Sequence, residues 1–249
     1  MLWIIPIGGK GTRTSKLGEF KPFIEIKGCK MLLWFLFSIK KNIKPKDSFV
    51  FITTQYFEEK FKVKQEIGRI FDQLKIKNKF QIAILPETPL GVSAALYACR
   101  NFLEEEIPVI VICPDRFIDI EISQEMLPKT GFLSAGLSFE KERDYLDVKE
   151  GIVRQFVEKK PISAFSSNGV FMAASGRDLI WAISEQLKRK IISFNGEYRI
   201  GPAFNLLIEN GYLIWPLIPK ACYSLGSVSS INYFSSTPIA EILSQILPR

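Results

Sequence analysis

The chain has 249 residues, 47% hydrophobic and 24% charged, which suffices for one sizeable α/β core and is ordinary for a globular enzyme. It contains no histidine, which excludes Ser-His-Asp and Cys-His catalysis and leaves Lys, Arg, carboxylates, backbone amides and metal ions as the available chemistry. The formal charge of +7 favours anionic partners; basic residues are scattered, with Lys40, Lys41, Lys44 and Lys46 the one tight cluster, so small phosphorylated molecules are expected rather than nucleic acid.

In chain order, residues 2–7 read as a buried strand with no basic leader before it, so no secretory signal is expected and the location reads as cytoplasmic. A glycine-rich turn follows at 8–13. The apolar run 31–39 ends at Lys40 and Lys41, short of the roughly 18–20 residues a membrane span needs, and predicts a buried helix over 31–41. Strands are predicted at 49–53, 80–85 and 109–113, with helices at 56–74 and 92–103 between them. This alternation predicts a mostly parallel sheet covered on both faces.

The second half is less regular. Strands are predicted at 132–139, 152–157 and 169–173, and helices at 176–189, 202–210 and 238–247. The serine-rich run 224–236 reads as a loop. No repeat divides the chain, which reads as one domain over 1–249. Cys29, Cys99, Cys113 and Cys222 form no C-x-x-C pair and read as reduced thiols.

Gly8-Gly9-Lys10-Gly11-Thr12-Arg13 follows the first strand directly. Glycines here allow a sharp turn and let backbone N–H groups approach an anion. The loop is not a Walker A motif, since no Gly-Lys-Ser/Thr closes it, and Thr14 stands where a dinucleotide fingerprint needs its third glycine. Lys21-Pro22 comes eight residues after Arg13 and leads into the apolar stretch Phe23-Ile24-Glu25-Ile26.

Together these residues resemble the G-G-x-G-T-R…K-P signature of the sugar-phosphate nucleotidyltransferases. The resemblance implies a Rossmann-like three-layer α/β sandwich with a mixed, mostly parallel central sheet of about seven strands, the GT-A-like nucleotidyltransferase fold. It further implies transfer of NMP from an NTP to a phosphorylated small molecule, such as a sugar 1-phosphate, with release of pyrophosphate. Gly8, Gly9, Gly11 and Thr12 take nucleotide-binding places, and Arg13 and Lys21 are the catalytic cations on the triphosphate.

Further matches run along the chain. Glu87-Thr88-Pro89-Leu90-Gly91 resembles the base-reading loop, with Gly91 against the nucleobase and Glu87 a candidate acceptor for a base amino group; Pro86 replaces the family's Gln. Asp115 ends a buried strand where the family holds Mg²⁺, the expected cofactor, on a carboxylate. Glu158-Lys159 resembles the acceptor-binding E-K-P, although Lys160 intrudes before Pro161. Asn168-Gly169-Val170-Phe171 resembles the family's N-x-G-ϕ-Y strand, one residue out of register at the Asn, which makes Asn168 and, more closely, Gly169 acceptor-binding candidates.

One departure is serious. Ser224 stands where the family carries a second metal-binding Asp, which leaves Asp115 with the phosphates, or another carboxylate such as Glu197, to hold the ion. It also motivates an alternative, a catalytically impaired nucleotide-binding regulatory protein of the same fold. Asp115-Arg116-Phe117 lacks the D-x-D pair of a nucleotide-sugar glycosyltransferase.

Overall fold

A computed structural model of the chain describes residues 1–9, 11–123, 125–141 and 143–247. Strand β1 (Leu2–Pro6) is almost wholly buried, with Trp3 inaccessible to solvent. Short strands β2 (Glu25–Ile26) and β3 (Cys29–Lys30) pair across a turn at Lys27 and Gly28, both at positive φ, as a tight two-residue hairpin requires. They deliver the chain into α1 (Met31–Ile39), an apolar run buried around nearly its whole circumference. Strand β4 (Ser48–Thr54) follows.

The long helix expected at 56–74 is two helices, α2 (Gln55–Phe61) and α3 (Val63–Gln73). Lys62 adopts a left-handed conformation between them, φ 50 and ψ 49, and its N–H donates to the Glu58 carbonyl as a C-cap. The apolar spacing runs through the break, so periodicity alone gives no sign of it. Strand β5 (Lys79–Leu85), helix α4 (Val92–Ala98) and strand β6 (Val109–Ile112) complete the first half.

Then come β7 (Arg116–Asp119), β8 (Thr130–Leu137), β9 (Tyr145–Lys149), β10 (Ile152–Val157) and β11 (Phe165–Ala173). Helices α5 (Gly176–Lys188) and α6 (Gly201–Glu209) precede β12 (Leu213–Leu217) and β13 (Ala221–Ser224). Helices α7 (Val228–Ser235) and α8 (Pro238–Ile246) end the order. Helix α7 lies in the serine-rich run expected to be a loop. Ser227 and Ser230 cap its first turn reciprocally, while Ile231 and Phe234 are buried. The serines that suggested a loop instead satisfy the helix's free N–H groups.

The chain forms two compact units, each assembled from three stretches of sequence. The first comprises Met1–Pro6, Pro89–Ile112 and Ile122–Pro219; the second Ile7–Thr88, Cys113–Glu121 and Lys220–Arg249. In the first unit the strands run in the order β1-β6-β11-β8-β12-β10-β9. β1/β6 and β12/β8 are parallel, whereas β11/β6, β11/β8, β10/β12 and β10/β9 are antiparallel. The sheet is mixed as expected, but this part of it is not mostly parallel. The reason lies partly in β9, which was not among the expected strands, and which joins β10 through a hairpin turn at Glu150 (φ 52) and Gly151 (φ 74).

In the second unit β4 and β5 pair in parallel, while β2/β3 and β7/β13 are antiparallel ribbons. Its core is aromatic. Trp34 on α1 packs edge-on against Phe234 of α7 and Phe117 of β7, and its indole N–H donates to the Ile26 carbonyl at 2.8 Å. Among the described residues no helix is long and apolar enough to cross a membrane.

Candidate active site

The expected triphosphate residues fall in the second unit and are built from the glycine turn outward. The Ile7 N–H donates to the Ile52 carbonyl at 2.8 Å, which lays the chain along β4. A Cβ on Gly8 would sit 3.2 Å from the Thr53 Cα, so the backbones approach closely there and a side chain would be tight. Gly9 is exposed with open space beside it. Gly11 takes φ 59, and its carbonyl accepts the Thr14 N–H and hydroxyl, starting a 3-10 turn that leaves Thr12 and Arg13 facing solvent.

Lys21 opens a second 3-10 turn, with buried Pro22 behind it. Phe20 anchors this turn, with its ring centroid 4.7 Å from that of Phe23 and 4.6 Å from that of Phe57. A Cβ on Gly11 would lie 3.2 Å from the Lys21 Cβ, so the glycine turn and the Lys21 stem are in contact. The order of the motif in sequence becomes proximity in space.

Asp115 lies just before β7. Lys21 Nζ donates to Asp115 Oδ2 at 2.8 Å, and Arg116 donates from its terminal nitrogen to Oδ1 at 2.9 Å. Arg116 Nε also donates to the Cys113 carbonyl at 2.9 Å. Across the β7/β13 ribbon, Ser224 stands opposite Arg116. A Cβ on Gly226 would meet Ser224 Oγ at 3.3 Å, Asp115 Oδ2 at 3.4 Å and an Arg13 guanidinium nitrogen at 3.7 Å. The structure therefore brings Arg13, Lys21, Asp115 and Ser224 together around Gly226. The sequence reading missed Arg116. Its signal was a basic residue directly after the strand-end carboxylate.

Burial pushes the Asp115 carboxyl up, but Arg116, Lys21 and the more distant Arg13 outweigh it and hold the group well below the usual carboxylate range. A depressed folded-state pKa means stability that is complete above the unfolded value and lost as pH falls through the folded one. We expect Asp115→Asn to lower stability by about 2 kcal/mol near pH 7, since it strands two cations on a partly buried amide. The gap between wild type and variant should narrow on acidification below about pH 4, read from denaturant midpoints across pH. A gap independent of pH would mean that the ion pairs contribute nothing.

The residues present do not fit a pre-formed Mg²⁺ site. Both Asp115 oxygens accept from cations, Ser224 is neutral, and Glu197 is exposed in the first unit. Among the described residues no group of three His, Cys, Asp or Glu side chains is placed to hold an ion. Glu87, at the end of the second unit's first long stretch, is exposed.

The expected acceptor residues, with Gly91, fall in the first unit. Gly91 has φ 95, and a Cβ there would lie 2.6 Å from the Tyr198 carbonyl oxygen. Tyr198 N–H donates to the Leu90 carbonyl at 2.8 Å, and Ser93 N–H donates to the Tyr198 carbonyl at 2.9 Å. The demand for glycine at 91 thus has a cause within the protein. Glu158 accepts from the Ser193 hydroxyl at 2.6 Å. Lys159, at φ 51, follows it, and its N–H donates to Asp144, whose carboxylate also receives Arg199 at 3.0 and 2.9 Å. Segment 193–199 therefore ties the Gly91 turn to the Glu158–Lys159 turn. Asp144, Ser193 and Arg199 went unnoticed in the sequence because no local pattern marks a contact across tens of residues. Asn168 is buried beside Gly136, its amide nitrogen without a partner among the described residues, and Gly169 takes φ 71 in the irregular part of β11.

No family model and no curated protein sequence matches the chain. Solved structures do. A nucleoside-diphosphate-sugar pyrophosphorylase from Vibrio cholerae RC9 superposes with a TM-score of 0.78 at 19% identity, over 95% of this chain and 100% of that one. The inositol-1-phosphate CTP transferase from T. maritima gives 0.69 at 14% identity, covering 99% and 95%. A UDP-glucose pyrophosphorylase complexed with UDP-glucose gives 0.71 at 15%, covering 96% and 98%. The chain has the mixed α/β fold that these nucleotidyltransferases share, along essentially its whole length.

Proposed function

We propose that the protein is a nucleotidyltransferase that joins the NMP part of an NTP to a phosphorylated small molecule, a sugar 1-phosphate in the first instance, and releases pyrophosphate. The observation that carries this reading is the convergence of Arg13 and Lys21 beside an open glycine turn. The solved structures sharing the fold act, by their names, on nucleoside-diphosphate sugars or on inositol 1-phosphate with CTP.

In the reaction an acceptor phosphate oxygen attacks the α-phosphorus in line. The bond from that phosphorus to the β-bridging oxygen breaks, and its electron pair leaves with pyrophosphate. The acceptor phosphate is largely dianionic near neutral pH, so the step needs no strong general base and a histidine-free chain can carry it out. What it needs is positioned positive charge. The glycine-turn N–H groups, Arg13 and Lys21 supply that charge to the triphosphate, and Glu158 and Lys159 are assigned to the acceptor.

The reading is tested by incubating the protein with each of the common NTPs and a set of sugar and polyol phosphates, following pyrophosphate. Release that requires both an NTP and one acceptor is expected. No release with any pair would leave the nucleotide-binding regulatory protein as the better account.

A further inference from the structure

We propose that two lysine-rich stretches of the second unit, residues 43–47 and 75–79, form one surface that docks the protein on an anionic lipid membrane. They carry Lys44, Lys46, Lys75, Lys77 and Lys79, all exposed. Ser48 pairs with Lys79 at the start of the parallel strands β4 and β5, so both stretches enter the sheet at the same end. Asn78 fastens them together. Its side-chain amide donates to the Lys44 carbonyl at 2.8 Å and to the Asp47 carbonyl at 2.9 Å. Buried Ile76 anchors the second stretch between the exposed Lys75 and Lys77.

The charge gathered there is not neutralised within the unit. Lys27, Lys30, Lys41, Lys60 and Lys220 each pair with a carboxylate, whereas the five surface lysines make no ion pair among the described residues. The one carboxylate between them, Asp47, is buried and accepts the Lys44 N–H at 2.9 Å. Like charges held side by side repel, and hydrogen bonds fix these in place; an anionic partner turns that repulsion into attraction. A membrane fits better than a nucleic acid or an acidic peptide. Neither stretch offers an aromatic ring or an arginine, the groups that stack bases or clamp a single phosphate or carboxylate. Lysines are strongly hydrated point charges, and each one set against a leaflet of anionic headgroups raises affinity about fivefold. The glycine turn lies against the far end of β4, at Thr53 and Thr54, about 17 Å from Ser48 at the usual strand rise. Docking through the lysines therefore keeps that turn clear of the bilayer.

The test is co-sedimentation of the full chain with vesicles of phosphatidylcholine alone, and with vesicles of phosphatidylcholine and phosphatidylglycerol in equal parts. Wild type should bind the mixed vesicles at least ~100-fold more tightly than the neutral ones, and the gain should shrink as salt shortens the Debye length. Combining Lys44→Gln, Lys77→Gln and Lys79→Gln should remove most of that gain. Combining Lys149→Gln, Lys188→Gln and Lys190→Gln changes the net charge equally, on exposed lysines of the first unit, and should leave the gain in place. The proposal is overturned by equal wild-type affinity for the two kinds of vesicle, or by an equal loss in both triple variants. Tighter binding, per anionic charge, to poly(U) or to poly-glutamate than to the mixed vesicles overturns it as well. The wild-type arm needs no variant to fold. No turnover is read, so a failure of the nucleotidyl-transfer reading would show separately, as absent pyrophosphate release.

Discussion

Lys21→Ala is expected to lower turnover at least ~100-fold, a loss of about 2.7 kcal/mol of transition-state stabilisation. The ammonium is held in place before any substrate arrives: the stem touches the glycine turn and the head lies on Asp115. A charge carried on a stem already fixed against the glycine turn needs little reorganisation to follow the phosphoryl group, so its removal is felt in kcat rather than only in KM. Arg13→Ala should fall in the same range. The two variants should differ in stability. Arg13 is exposed, so its loss should leave Tm unchanged, whereas Lys21 is partly buried in an ion pair and its loss should cost about 1 kcal/mol, roughly 2–4 °C in a chain of this size. Steady-state kinetics and thermal melts on the purified variants decide both points. Near-wild-type kcat in Lys21→Ala would remove the lysine from the mechanism.

Gly91→Ala is expected to be the most destabilising single-methyl change in the first unit's candidate site, at about 3 kcal/mol. Two costs add. The residue sits at φ 95, which L-residues with a Cβ rarely adopt, and the new carbon would lie 2.6 Å from the Tyr198 carbonyl oxygen, with that carbonyl's carbon and the Tyr198 nitrogen both at 2.9 Å. Those contacts are backbone atoms held by the Leu90 and Ser93 hydrogen bonds, so no rotamer change relieves them. Relief requires segment 193–199 to lift. That would also loosen Ser193 from Glu158 and Arg199 from Asp144, so weaker acceptor binding should accompany the lower Tm. A Gly91→Ala protein with wild-type Tm would show that Tyr198 does not pack there in solution. Gly9→Ala is the matched control, since a Cβ there meets nothing within 4 Å.

What could be read from the sequence follows a physical division. Contiguous features were legible. The turn at Gly11, the Lys21-Pro22 3-10 turn and the position of Asp115 just before β7 each follow from neighbours in sequence. Strand β10 matches its expected bounds, and β1, β4, β5 and β6 lie within a residue or so of theirs; in β1, β4 and β6 largely apolar runs leave a buried strand little alternative. The short ribbon strands β7 and β13 were invisible, since their pairing is long-range and their partners are hundreds of atoms away along the chain. Yet that ribbon sets Arg116 opposite Ser224, which changes what the missing second carboxylate means. The break at Lys62 and the hairpin at Glu150 rest on non-glycine residues at positive φ, a choice that tertiary packing imposes and local propensity disfavours.

The most direct test of nucleotidyl transfer is the fate of the α-phosphorus. The protein is incubated with an NTP labelled there and with the acceptor phosphate that gives the most pyrophosphate, and the products are separated and weighed by mass spectrometry. The label should appear in a diphosphate-linked NMP–acceptor conjugate, in amounts equal to the pyrophosphate released. Label confined to unreacted NTP, or found in free NMP or NDP with no conjugate, would contradict it.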